Sequence, residues 1–128
     1  MIEILPMEDR EKERSLLEGL SLSGGEARVL LMKDKGEPLG HAAVELWEDT
    51  LRILKLEAAG WDSSQKPQGE QIFILDTLMR SAASYGETFG AGKIETAFPD
   101  FFGFFQARGF ETDDAHAFGP MSLIVKYE

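Results

Sequence analysis

Apolar residues recur along this chain in two rhythms, and the succession of those rhythms lays out its elements. Residues 2–6 are a short apolar run ended by Pro6 and read as a strand, while the charge-rich stretch 8–20 places Leu16, Leu17 and Leu20 on one helical face. The cluster Ser21, Leu22, Ser23, Gly24, Gly25 has loop composition and closes that helix. Residues 27–32 are rich in Val and Leu, 34–38 carry turn residues, and 39–47 are apolar again, which predicts a hairpin. Glu48, Asp49 and Thr50 make a second tight turn into a strand over 51–60. Three antiparallel strands in succession follow.

The rhythm then changes. From 71 to about 85, Ile72, Leu75, Leu78, Met79 and Ala82 recur at intervals of three and four, which predicts an amphipathic helix, and Gly86, Gly90 and Gly92 end it. Residues 93–98 read as a strand and 99–108 as a helix opened by Pro99 and stopped by Gly109. Residues 110–118 and 121–127 read as a closing hairpin that turns at Gly119 and Pro120. The class is α/β: a mixed sheet of about seven strands with three helices. The helix over 71–85 requires the fourth and fifth strands to be parallel with a right-handed crossover, whereas the hairpins on either side are antiparallel.

Composition narrows the function. With 128 residues, 14.2 kDa and 43% hydrophobic residues, the chain reads as one domain, 1–128, able to bury a core of its own. No run approaches the roughly 20 apolar residues of a membrane span, and the charged N-terminal stretch has no targeting pattern, so the expectation is a cytoplasmic protein without a membrane partner. There are no cysteines, which excludes disulfides, a thiol nucleophile and thiolate metal sites. A net charge of −10 repels a polyphosphate backbone and attracts cationic amines. Nucleic acid is therefore not expected as a partner, and a small amine is.

The most informative segment is 61–78, where a polar loop with one glycine at the mouth of the long helix presents backbone N–H groups suited to an anion. That loop, and the element order around it, resemble the GNAT superfamily of N-acetyltransferases over nearly the whole chain. Residues Pro6 to Arg10 are similar to the family's opening, and Gly36, Glu37, Pro38, Leu39, Gly40, His41, Ala42 and Ala43 to its second hairpin. Phe104, Phe105, Gln106, Ala107, Arg108, Gly109 and Phe110 resemble its F-Y-x-x-x-G-F helix end. The family's acetyl-CoA signature, [QR]-x-x-G-x-[GA], falls on Lys66, Pro67, Gln68, Gly69, Glu70 and Gln71. The resemblance implies acetyl-CoA as co-substrate, its pyrophosphate held by loop N–H groups, with Lys66, Gln68, Gly69, Glu70 and Gln71 around it. It also implies that the backbone of Leu56, Glu57, Ala58 and Ala59 holds the pantetheine arm and polarises the thioester carbonyl.

The chain departs from the pattern at named positions. Lys66 stands for Gln or Arg, Pro67 has no N–H, and Gln71 replaces a small residue. Phe105 occupies the place where many members keep a tyrosine acid, so it is expected to lie by the cofactor without a proton to give. Only one helix fits between the first two strands, where the family places two. For chemistry, Glu57 shares a strand face with Lys55 and Ala59 and is the candidate base, although Lys-Leu-Glu alternation also fits an ordinary solvated face. Tyr85 and Tyr127 are candidate substitute acids that equally fit packing roles. His41 and the Asp113, Asp114, His116 run lack the further ligands of a metal site, so no metal is expected. Phe98, Phe101, Phe102, Phe104, Phe105 and Phe110 exceed what one short helix needs, and some are expected to line an acceptor pocket or face a second copy of the chain. The reading is an acyl-CoA-dependent N-acetyltransferase acting on a small amine, with a non-catalytic binding or regulatory module of the same fold as the alternative.

Overall fold

The structure, a computed structural model, describes residues 2–20, 24–59, 61, 68–96, 105–107, 109–112 and 117–121. Seven strands form one sheet: β1 (Ile2–Pro6), β2 (Glu26–Asp34), β3 (Glu37–Trp47), β4 (Thr50–Ala58), β5 (Lys93–Thr96), β6 (Glu111–Thr112) and β7 (Ala117–Pro120). Two helices are described, α1 (Arg10–Leu17) and α2 (Glu70–Thr88). The strand order is β1-β2-β3-β4-β5-β7-β6, with β4 and β5 parallel and every other pair antiparallel. The mixed sheet and the parallel central pair agree with the sequence reading. The expected third helix, 99–108, lies largely outside the described residues; Phe105 and Gln106 within it are helical.

Each helix covers one face. Helix α2 buries Ile74, Leu75, Leu78, Met79, Ala82 and Ala83 against Met32, Ala42, Val44, Leu51, Ile53, Leu56 and Ala58. Close approach is possible because Gly40 faces it: a Cβ there would stand 3.1 Å from Ile74 and 2.3 Å from the Glu57 carbonyl oxygen. Helix α1 starts at Asp9, whose carboxylate accepts the Lys12 N–H at 3.1 Å. Its Leu16 and Leu17 pack with Met7, Val29, Ala43 and Leu54 on the opposite face.

A bulge in β4 reconciles its sequence with these two faces. Leu51 and Ile53 alternate toward α2, but so do Leu56 and Ala58, and that spacing breaks a period of two. Val44 pairs with Ile53 and Ala43 with Lys55, leaving Leu54 as the extra residue, which turns into the α1 layer. Beyond the bulge the alternation is reversed, so Leu56 and Ala58 enter the core and Lys55 and Glu57 face the α1 side.

The closing hairpin differs from its sequence reading. Gly119 and Pro120 lie inside β7, paired with Ile94 and Lys93, and are not a turn. Residues 113–116, between β6 and β7, lie outside the described residues. Pro120 is tolerated because it ends its strand. Residues 122–127, the other half of the expected hairpin, also lie outside the described residues.

Glu13 ties α1 to the sheet. Just past β1 the Met7 N–H still donates to the Val29 oxygen at 2.8 Å, while the Val29 N–H donates to Glu13 Oε2 at 2.9 Å. Arg28 Nε donates to the same oxygen at 2.9 Å and Arg10 to Oε1 at 3.2 Å. Burial raises the Glu13 pKa, but the Val29 N–H and the two guanidinium groups outweigh it and hold the carboxyl below its ordinary 4.5. The unfolded chain then binds more protons in acid, so this contribution is present above 4.5 and is lost as pH falls through the folded value. In urea unfolding from pH 7 to pH 3, Glu13→Gln is expected to flatten the loss of stability below 4.5; an unchanged slope would refute the assignment.

Candidate functional site

The site grows from the place where β4 and β5 part. Among the described residues these strands pair only at Thr50 with Lys93, Leu51 with Ile94 and Arg52 with Glu95. Past Arg52, β4 continues for six residues that, among the described residues, pair with β3 alone. The Ala59 N–H donates to Leu39 oxygen at 2.8 Å, which fixes the alternation of hydrogen-bonded pairs on the β3 side. Leu56 and Ala58 therefore turn their N–H groups the other way, into the gap beside β5. Of the four residues expected to offer backbone groups, Leu56 and Ala58 do so, while the Ala59 donor is spent on Leu39. The Ala58 carbonyl accepts from Trp61 N at 3.1 Å.

On the α1 side of this stretch the register sets His41 of β3 opposite Glu57 of β4. His41 Nε2 lies 3.4 Å from Glu57 Oε2, and Lys55 Nζ lies 3.5 Å from the same oxygen. The His41 side chain is 16% exposed and that of Glu57 42%. Burial lowers the His41 pKa below 6.5, Glu57 opposes that, and Lys55 and Lys12 add to the lowering. At neutral pH His41 is thus an uncharged imidazole beside a carboxylate, a pair able to accept a proton. Sequence reading weighed His41 only as a metal ligand and missed this partnership. The available signal was the β-bulge implied by the broken spacing of Leu51, Ile53, Leu56 and Ala58, because without it Glu57 would lie opposite Gly40.

The mouth of α2 holds the other expected residues. Gly69 has φ 52° and ψ −117°, a conformation suited to glycine, and Gln71 N donates to Gln68 oxygen at 3.0 Å. Together these make a type II′ turn over 68–71 that leads into the helix. The Gln71 side chain folds back, its Oε1 accepting the Gln68 N–H at 3.2 Å. Glu70 is the first helical residue, and Lys66 lies outside the described residues.

Phe105 is wholly enclosed in the core cluster that contains Ala58, its ring 4.8 Å from that of Phe110. Both rings are buried; Phe98, Phe101, Phe102 and Phe104 lie outside the described residues. Tyr85 stacks obliquely on Phe89 at 4.9 Å and lines a groove with Ile4, Pro6 and Leu30, on the α2 face and across the sheet from His41. Burial chiefly, and then Glu26, raises its pKa, so neither its place nor its acidity suits proton delivery at Glu57. Tyr127 and His116 lie outside the described residues. Among the described residues no three His, Asp or Glu side chains gather as a metal site, and no helix is long and apolar enough to cross a membrane.

No protein-family model matches the sequence, and no curated protein matches it significantly. Solved structures do resemble it. An IAA acetyltransferase from Bacillus cereus superposes with a TM-score of 0.66 at 15% identity, covering 94% of this chain and 99% of that one. A Bacillus subtilis acetyltransferase in complex with CoA gives 0.63 at 13% identity over 94% and 99%. N-acetylglutamate synthase from Neisseria gonorrhoeae, complexed with coenzyme A and N-acetyl-glutamate, gives 0.63 at 14% identity, covering 94% of this chain and 35% of that one. From its seven-stranded mixed sheet, parted central pair and these likenesses, the chain has the fold of the GNAT acetyltransferases.

Proposed function

We propose that the protein is an acyl-CoA-dependent N-acyltransferase in which Glu57 and His41 take the proton of the attacking amine. The observation that carries this reading is the parting of β4 from β5, which turns the Leu56 and Ala58 N–H groups toward a gap while the next residue, Glu57, meets His41 across the register. The fit to acetyl-CoA is good along β4, where the N–H groups of Leu56 and Ala58 suit the pantetheine arm and carbonyl oxygen. It is poorer at the helix mouth, where the Gln71 carboxamide already takes the Gln68 N–H. When bound, acetyl-CoA supplies an activated acyl thioester. Glu57, the more exposed partner, faces the incoming amine, and neutral His41 beside it accepts the proton. No tyrosine acid is placed at Phe105, so the departing thiolate takes its proton from water.

The engaged Gln71 favours a second reading, a non-catalytic module that keeps the fold. Calorimetric titration with acetyl-CoA separates the two. Gln71→Gly is expected to bind about tenfold more tightly than the native chain by freeing the Gln68 N–H, with Gln71→Ala intermediate. No binding of millimolar acetyl-CoA by any of the three would leave the module as the better account.

A further inference from the structure

The α1 side of the sheet carries a groove of about 420 Å³ that neither the backbone gap nor the helix mouth uses. It is lined by Glu3, Leu5, Pro6, Met7, Glu8, Asp9, Lys12, Leu31 and Lys33, of which Leu5, Met7 and Leu31 make an apolar floor. The groove adjoins the candidate site: Leu31 lies between Leu5 of β1 and His41 of β3, and His41 in turn meets Glu57. Helix α1 covers Val29, Ala43 and Leu54, whereas Leu31 in the next row is only partly buried at the edge of that cluster.

The groove carries both signs of charge, Lys12 and Lys33 alongside Glu3, Glu8 and Asp9. Neither Lys12 nor Lys33 forms an ion pair among the described residues, although carboxylates line the same groove. Asp9 is engaged at the Lys12 N–H. Lys12 is also near enough to act on His41, as is Lys55. The groove thus offers both signs of charge, lysines at Lys12 and Lys33 and the Glu57 carboxylate beside His41, and an amine drawn in by the overall charge is held there best if it also carries an anion.

We propose that this groove takes a short zwitterion, its amine toward His41 and Glu57 and one carboxylate toward Lys12 and Lys33. The acceptor role of that zwitterion rests on the transferase reading; the binding does not. Lys33 is two residues along β2 from Leu31, which is one strand from His41, so the two ends are about 8 Å apart at the backbone. That span suits an amine and a carboxylate separated by a few methylenes. Glu3 and Glu8 at the rim oppose further negative charge, which favours a single carboxylate over a phosphate.

A matched series tests this: 5-aminovalerate, pentylamine and 1,5-diaminopentane differ only at the far end. Binding is read without acetyl-CoA, from the His41 ring-proton shift by NMR. The expected result is a Kd for 5-aminovalerate about tenfold below the other two, and loss of that preference in Lys12→Gln/Lys33→Gln, whose exposed or half-buried lysines can change without unfolding the chain. Equal binding of the three, tighter binding of the diamine, no ring shift, or a preference that survives the double substitution would overturn the proposal. Release of CoA thiol is measured separately. Thiol release with the diamine alone would sustain the transferase and sink the zwitterion, whereas selective 5-aminovalerate binding without thiol release from any of the three would sustain the groove's ligand class and count against the transferase.

Discussion

Arg52→Ala is expected to lower stability by about 3–5 kcal/mol, the largest single effect in this fold. Glu45 is wholly buried, and Arg52 reaches its Oε1 at 2.9 Å while donating through Nε to Glu95 Oε1 at 3.1 Å. The other Glu45 oxygen accepts the Gly25 N–H at 2.9 Å. Removing the guanidinium leaves a buried carboxylate facing a cavity, and it does so at the last pair before β4 and β5 part. Replacing both members of the pair tests the cause. Glu45→Gln/Arg52→Met should recover a good part of the loss, because the uncompensated charge has gone. Urea midpoints decide it: a loss under about 1 kcal/mol for Arg52→Ala would show that solvent reaches the site and the network is weaker than its burial implies.

Loss of the proton acceptors should have the largest effect on rate. Given the transferase function proposed above, Glu57→Gln and His41→Asn are each expected to lower kcat/KM by about 10²-fold at neutral pH, within the range for a positioned base. If the two act as one unit, the double variant should be little worse than the poorer single one. The pH profile carries a sharper signature. Because burial keeps His41 uncharged below its ordinary 6.5, the acid limb of kcat/KM should fall beneath that value and disappear in His41→Asn. The same depressed pKa has a stability consequence of known sign. Folded His41 binds its proton less readily than the unfolded chain, so stability declines as pH falls through 6.5, and His41→Asn should remove that portion. Rates within threefold of native for both single variants would exclude the pair from the chemistry.

Periodicity alone located the strands up to β5, both described helices and the parallel pair around α2, because those features depend on which residues must be buried and on the chain length a crossover needs. Loop composition likewise placed Gly69 at the helix mouth. What the element-by-element reading did not supply was register, although the spacing of Leu51, Ile53, Leu56 and Ala58 carried a trace of it. A single extra residue at Leu54 reverses which side of β4 faces the core, and that reversal alone brings Glu57 opposite His41. Gly119 and Pro120 look like a turn to any rule of local composition, yet they sit at the end of β7 because tertiary pairing with β5 overrides local preference. Phe105 could be matched to a motif position, but only packing against Phe110 shows its ring enclosed. Gln71 could be seen to replace a small residue of the motif, and the fold adds that its carboxamide turns back onto the Gln68 N–H. Sequence thus determined the elements, through burial and chain connectivity, and the tertiary structure decided which side chains stand together, since residues of separate strands meet only after register is set.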